Sequence, residues 1–448
     1  MLLQFIPFMK ALNICILFVL LLYGFKVNAQ LKASDVRSFT LKNGMKFLVM
    51  EDNSIPNANM YLFFKVGSRN EHNGITGISH FFEHMMFNGA KKYGHNQLDR
   101  VEEFNGGTNN AYTTENITAY TDWFPASKLE LLFDIESDRM ANLAFDTAII
   151  ESERGVVHSE WRTDFENSPW EPLREAVTAA AFEQHPYHWP VLGYETDILN
   201  WNKSDLEKYF KTYYAPNNCV AVITGNVTFD EVQRLAKQYM EPIPAQPPPP
   251  LVHNVEPRQN GERRVMVQRN VTTPYLMISY HVPATRDSDY YALDVLNQVL
   301  SNGHSSRLYA SVVDQQQLAT DVFTGMAYSF DPFTFNIYAQ CSDSIKATYL
   351  EKAIYLELDK IKKDGITENE LQKVKNIKLM NFYSQVETIN GKSGTIGDYE
   401  VFFGGYKKMF DAPAEYNKVT VADVQRVANK YFRKSNRTVG ILQTNVED

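Results

Sequence analysis

The stretch Gly77-Ile78-Ser79-His80-Phe81-Phe82-Glu83-His84-Met85-Met86-Phe87 decides how this chain is read. Phe81, Phe82, Met85 and Met86 suit the buried side of a helix. His80 and His84 are four residues apart, so both imidazoles project from one face. That separation suits two nitrogen ligands on a tetrahedral zinc, Zn2+. Glu83 follows the first His by three residues and precedes the second by one. It lies close to the metal but angled away from the ligand positions, where it can take a proton from a bound water. Zinc brings the pKa of such a water to about 7 and polarises a carbonyl. A neighbouring carboxylate can then carry the proton to a leaving amine.

A catalytic zinc needs a third protein ligand and one open position. Glu151-Ser152-Glu153-Arg154-Gly155-Val156-Val157-His158-Ser159-Glu160 supplies the candidate. Glu153 and Glu160 are seven apart, two helical turns, and share a face. Glu160 would ligate, and Glu153 would orient a ligand or the water from behind. Spacing alone leaves open a structural helix with solvated histidines, in a chain with ten His. The tandem carboxylate helix favours the metal site.

Outward from this motif, residues 240–250 read Met-Glu-Pro-Ile-Pro-Ala-Gln-Pro-Pro-Pro-Pro. Polyproline is a semi-rigid connector that ends regular structure on both sides. The expected organisation is a leader over 1–29, a zinc-binding domain over 30–239, a Pro-rich linker over 240–262, and a second domain over 263–448. The halves read as distant copies. An offset of 218 residues sets Asp205 on Asp423, Tyr213 on Tyr431 and Asn218 on Asn436. An offset of 214 sets Asn88-Gly89 on Asn302-Gly303, and then Asp294, Asn297 and Gln298 stand where His80, Glu83 and His84 would be. A shared fold therefore implies one half for chemistry and one for holding substrate or shape.

Residues 45–51, 60–66, 275–281 and 333–340 carry strand patterns. Residues 129–143, 148–160, 350–362 and 368–387 carry helical periodicity. The expected class is α+β: two homologous domains, each a mostly antiparallel sheet flanked by helices. The 448 residues, 44% hydrophobic and 13% aromatic, are enough for two sizeable cores.

The N-terminus reads as a signal peptide: Lys10, an apolar run over 12–25, and Val27-Asn28-Ala29 as a cleavage site. Met9 is an alternative start. An uncleaved anchor is the competing reading, but the run is shorter than the roughly 20 residues a span needs. No later segment is apolar enough to cross a bilayer, so no stable membrane span is expected after cleavage. Loss of Lys10 and Lys26 with the leader takes the formal charge from −9 to −11. That surface does not suit nucleic acid, which needs a basic face, and it favours neutral or basic peptides. Only Cys219 and Cys341 remain, too few for a thiolate zinc site or a disulfide framework.

The order His-x-x-Glu-His is the inverted zinc-protease signature, and with it the sequence resembles the insulinase/pitrilysin family of zinc peptidases. It looks closest to the short two-domain branch that includes the mitochondrial processing peptidases. Segments match in order over 77–88, 106–120, 153–160 and 303–308, and Glu160 follows His84 by 76 residues. The resemblance implies zinc on His80, His84 and Glu160, Glu83 as base and Glu153 as supporting carboxylate. It implies that Asn110 and Ala111, in Gly106-Gly107-Thr108-Asn109-Asn110-Ala111-Tyr112-Thr113, pair with an extended peptide by strand addition. A plain glycine turn before a strand is the alternative there. The family's Arg and Tyr that grip substrate are replaced by Val313 and Thr320. Arg307 is either a substitute grip or a structural ion pair. His185 and His188 read as structural. The resemblance also implies a homodimer, or a heterodimer with a related chain, enclosing an unfolded peptide substrate. The expected location is periplasmic or secreted. Two other functions remain readable: a non-catalytic peptide-binding subunit, and a zinc hydrolase acting on non-peptide substrates.

Overall fold

The computed structural model describes residues 31–444; the leader expected over 1–29 lies outside them. Ala33–Asp35 form a 3-10 turn in which Lys32 N–H donates to the Asp35 carboxylate at 2.8 Å. The remainder, from Val36 on, is described separately.

Its first half runs β1 (Val36–Thr40), β2 (Lys46–Glu51), β3 (Asn57–Phe64), α1 (Ile78–Met85), α2 (Leu98–Phe104), β4 (Thr108–Thr113), β5 (Thr118–Pro125), α3 (Leu129–Asn142), α4 (Thr147–Asn167), α5 (Trp170–Ala181), α6 (Glu195–Ile198), α7 (Lys203–Tyr213), β6 (Cys219–Gly225) and α8 (Phe229–Leu235). Residues 244–260 carry no helix or strand. The second half runs β7 (Arg263–Gln268), β8 (Tyr275–Val282), α9 (Tyr290–Ser301), β9 (Ala319–Met326), β10 (Phe333–Cys341), α10 (Ala347–Asp364), α11 (Glu368–Gln385), α12 (Ile389–Phe402), α13 (Lys408–Lys418), α14 (Val421–Tyr431) and β11 (Arg437–Gln443). Among the described residues no helix is long and apolar enough to cross a membrane.

The first sheet has the order β1-β2-β6-β3-β5-β4 and the second β7-β11-β8-β10-β9. β1 aside, the two orders are the same. Each sheet has one parallel pairing, β2 with β6 and β7 with β11, and is otherwise antiparallel. This is the α+β, duplicated architecture expected from the pattern. The residue matches reappear as matched hydrogen bonds. Asn218 Nδ2 donates to Tyr213 O at 2.8 Å, and Asn436 Nδ2 donates to Tyr431 O at 2.8 Å. Asp205 and Asp423 each close a capping box, at the start of α7 and α14.

The helices cross the division that the strands respect. α5 packs on β7, β8 and β11, while α12 packs on β3 and β6. Each sheet is thus covered on one face by its own half and on the other by a helix from the opposite half. β3 and β6 are therefore buried on both faces and are almost continuously apolar. Two glycines permit the approach. A Cβ on Gly397 of α12 would lie 2.0 Å from Phe63 Cε2, and one on Gly440 of β11 would lie 2.2 Å from Val177 Cγ2 of α5. Polar contacts fasten the exchange. Lys392 pairs with Asp52, Lys46 reaches Glu400 at 2.5 Å, and Arg263 donates to the Ala180 and Ala181 carbonyls at 2.9 and 2.7 Å.

Candidate metal centre

α1 is fixed from three sides. Gly77 caps it at φ +82°, and a Cβ there would meet Leu192 O at 2.3 Å, so only glycine fits. The Glu71 carboxylate accepts the N–H groups of Gly77 and Ser79 at 2.7 and 2.8 Å, satisfying donors that the helix cannot. Burial pushes the Glu71 carboxyl up to about 8 against these bonds. Phe81, Phe82, Met85 and Met86 are fully buried. The Phe82 ring packs against those of Tyr209, Phe210 and Tyr214, and Tyr120 Oη donates to Phe82 O at 2.9 Å. The remaining face presents His80, Glu83 and His84.

α4 starts where the Asp146 side chain accepts the Ala148 and Ile149 N–H groups. Ile150, Arg154 and Val157 form its buried face. Arg154 Nη2 donates to Trp201 O at 2.6 Å, and the same guanidinium also reaches Ile198 O. With that face anchored, Glu153 and Glu160 point at α1.

The result is a compact donor set. Glu160 Oε1 lies 3.7 Å from His80 Nε2, and Glu160 Oε2 lies 3.2 Å from His84 Nε2. One ligand atom from each of His80, His84 and Glu160 lies within 4.8 Å of the others. Ligands about 2.0–2.2 Å from a tetrahedral ion stand about 3.3–3.6 Å apart, so the set fits zinc. His84 Nδ1 is 2.8 Å from Glu153 Oε1, which fixes that ring with Nε2 turned to the other ligands. Burial holds His80 down at about 4, so it is neutral and has a lone pair to offer. Its Nδ1 finds no partner, and packing alone orients that ring.

The protein groups set distinct protonation tendencies. Burial opposes charge on His84, but its bonds to Glu153 and Glu160 outweigh it and hold the ring up at about 9. Burial raises Glu83, the tendency a proton acceptor near neutrality needs. A cleft of about 320 Å³ joins Glu83, His84 and Glu153 to Asn110 and Ala111. The latter two lie on β4, the edge of the first sheet. The Ala111 N–H donates to Asn110 Oδ1 at 2.9 Å, so a side chain takes the place of a missing neighbouring strand.

Arg307 is brought elsewhere. Its Nε and Nη2 donate to the two Glu370 oxygens at 2.7 and 2.8 Å, the ion-pair reading of the two given above. His185 accepts the Tyr187 N–H at 3.1 Å and stands 3.3 Å from Asp331, apart from the donor set. One supporting residue escaped the sequence reading. Asn88 Nδ2 donates to Glu153 Oε2 at 2.7 Å and so holds the carboxylate that holds His84. The signal was there, since Asn88 follows His84 by four residues on the same face.

A His-x-x-Glu-His helix meeting a carboxylate from a second helix, within a duplicated α+β fold, is the arrangement of the inverted zinc peptidases. Comparison with known proteins agrees. The family model described as insulinase, peptidase family M16, matches residues 46–195, and that of the peptidase M16 inactive domain matches 200–378. The chain belongs to the insulinase family, M16. It is 32% identical over 431 residues to the zinc protease PqqE of Helicobacter pylori, covering 95% of this chain and 96% of that one. It is 24% identical over 400 residues to the uncharacterized zinc protease YmxG of Bacillus subtilis, covering 89% and 96%. A crystal structure of a protease from Helicobacter pylori superposes with a TM-score of 0.88 at 32% identity, covering 91% and 99%. At 18% identity and a TM-score of 0.75, this chain shares its fold with the periplasmic protease PqqL from Escherichia coli, covering 93% of this chain but 48% of that one.

Proposed function

We propose that this chain is a zinc-dependent endopeptidase that cleaves oligopeptides or unfolded polypeptides and works in the periplasm or outside the cell. The observation that carries this reading is the meeting of Glu160 with His80 and His84, with Glu83 beside them in a cleft bordered by a free strand edge. His80, His84 and Glu160 hold the ion, and Glu153 positions His84. When bound, zinc polarises the scissile carbonyl and acidifies the attacking water. The Glu83 carboxylate takes the proton of that water and delivers it to the leaving nitrogen. A peptide enters as an extra strand on β4, displacing the Asn110 side chain from the Ala111 N–H. The second half carries Asp294, Asn297 and Gln298 in place of the motif and shapes the cleft.

The resemblance to less than half of a longer periplasmic chain supports a working unit of two such chains enclosing substrate. Native mass spectrometry is expected to give the mass of two chains; a fully active monomer would overturn the pairing. The activity is tested by a peptide-cleavage assay with and without chelator, on wild type and Glu83→Gln. The expected result is zinc near one per chain and cleavage abolished by chelator and by the substitution. Equal cleavage by both proteins would remove Glu83 as base. Protein isolated without zinc that binds peptides without cutting them would leave a binding subunit.

A further inference from the structure

A second cavity, of about 490 Å³, opens in the second half, where α9 stands at the position α1 holds in the first. Its size falls in the range of about 300–1,000 Å³ usual for ligand pockets. Tyr290, Tyr328, Tyr399 and Tyr416 contribute to its wall. Two of its three charged groups cancel: Lys378 Nζ pairs with Asp294 at 2.6 Å, and Tyr416 Oη also donates to Asp294. The third, Asp398 of α12, meets no donor or cation among the described residues, and burial alone pushes it up to about 7. A half-buried carboxylate without a partner, among tyrosine rings, is the chemistry that receives a cation.

The register of the sheet says which cation reaches it. Ala111 pairs with Tyr120, whose hydroxyl reaches back to α1, so Ala111 lies on the metal face of β4. Tyr112 is therefore on the opposite face, the one α12 covers. The Asp398 charge adds to burial in raising the Tyr112 and Tyr61 hydroxyls, which places that carboxylate beside this face. A peptide added to β4 alternates its side chains between the two faces. Those that do not face His80, Glu83 and His84 face the Asp398 side.

We propose that the Asp398 cavity receives the lysine or arginine side chain of a peptide lying on β4, and so makes the enzyme select basic substrates. The assignment rests on the reading of β4 as the peptide-binding edge. The acidic surface, at a formal charge of −9 for the whole chain, draws in the same substrates at longer range.

Binding separates this assignment from catalysis. The full-length, zinc-loaded Glu83→Gln protein is titrated with N-acetylated decapeptides that carry one lysine at successive positions, and with norleucine counterparts. The expected result is Kd about tenfold lower for lysine at one position, or at positions two apart. Asp398→Asn erases that gain and leaves the norleucine peptides unchanged. No preference at any position, or a preference that survives Asp398→Asn, would overturn the proposal. The lysine-to-norleucine comparison needs no change to the pocket, so misfolding of the variant cannot mask the answer. Unacetylated norleucine peptides form the control: a gain that follows the free α-amino group instead of lysine would overturn the side-chain assignment. Wild type that binds the lysine peptides preferentially but never cleaves them would overturn the endopeptidase reading and leave this one standing.

Discussion

Glu83 and Glu153 are both carboxylates close to His84, yet their surroundings give them different tasks. Burial raises Glu83, whereas hydrogen bonds to His84 and Asn88 outweigh burial and hold Glu153 low. Glu83 is therefore suited to accept a proton, and Glu153 to stay ionised and hold a ring. Replacing Glu83 by Gln is expected to lower kcat by about 10²–10⁴-fold without changing zinc content, measured by steady-state cleavage and metal analysis. Unchanged kcat would remove it from the proton path. Replacing Glu153 by Gln is expected to weaken zinc by about 10–100-fold, read by competition with a chelator. An unchanged zinc affinity would mean that packing alone orients His84. The roles of these residues were legible from their spacing. The Asn88 contact was harder to see, because an amide four residues past a ligand is also a common surface residue.

At the scale of elements, α12 and α5 matter more than their composition foretells. α12 has a mid-helix glycine, ordinarily a weakness, at Gly397. Against Phe63 that glycine is the contact that lets helix and sheet close. Gly397→Ala is expected to cost about 1–3 kcal/mol of stability, as overpacking does, measured by urea unfolding monitored by circular dichroism. An unchanged midpoint would mean that the sheet shifts freely. The Arg307–Glu370 pair fastens the start of α11 to the chain before β9, and it lowers Glu370 to about 2. A carboxyl whose pKa is lower in the folded than in the unfolded chain stabilises the fold above the unfolded pKa of about 4.5. That contribution fades as pH falls towards 2. The Tm difference between wild type and Arg307→Met is thus expected to be largest near neutrality and to shrink between about pH 4.5 and 2. A constant difference across that window would show that the pair contributes by packing alone. Most strands and helices were readable from periodicity. The strand ends moved by up to three residues, as at β3, which starts at Asn57 where the apolar pattern begins at Met60.

At the scale of the molecule, the two halves are copies in topology but not independent bodies. The face of β3 and β6 that carries Phe63 is covered by a helix some 170 residues further along the chain. Residues 31–239 alone are accordingly expected to lack cooperative unfolding and to expose apolar surface, tested by thermal melts and dye binding. A sharp transition from that fragment would show that its core suffices.

The sequence by itself determined the metal-ligand set, the base and the duplicated α+β plan, because each is written in short-range spacing or in an alternation that one helix or strand carries alone. The tertiary structure alone decided that the halves exchange α5 and α12, that Arg307 belongs to Glu370, and that Asp398 stands without a partner near the binding edge. Those outcomes depend on which distant surfaces meet. Two sheet faces of similar apolar character offer no local signal for choosing between helices, and only the close approach at Gly397 and Gly440 makes the choice.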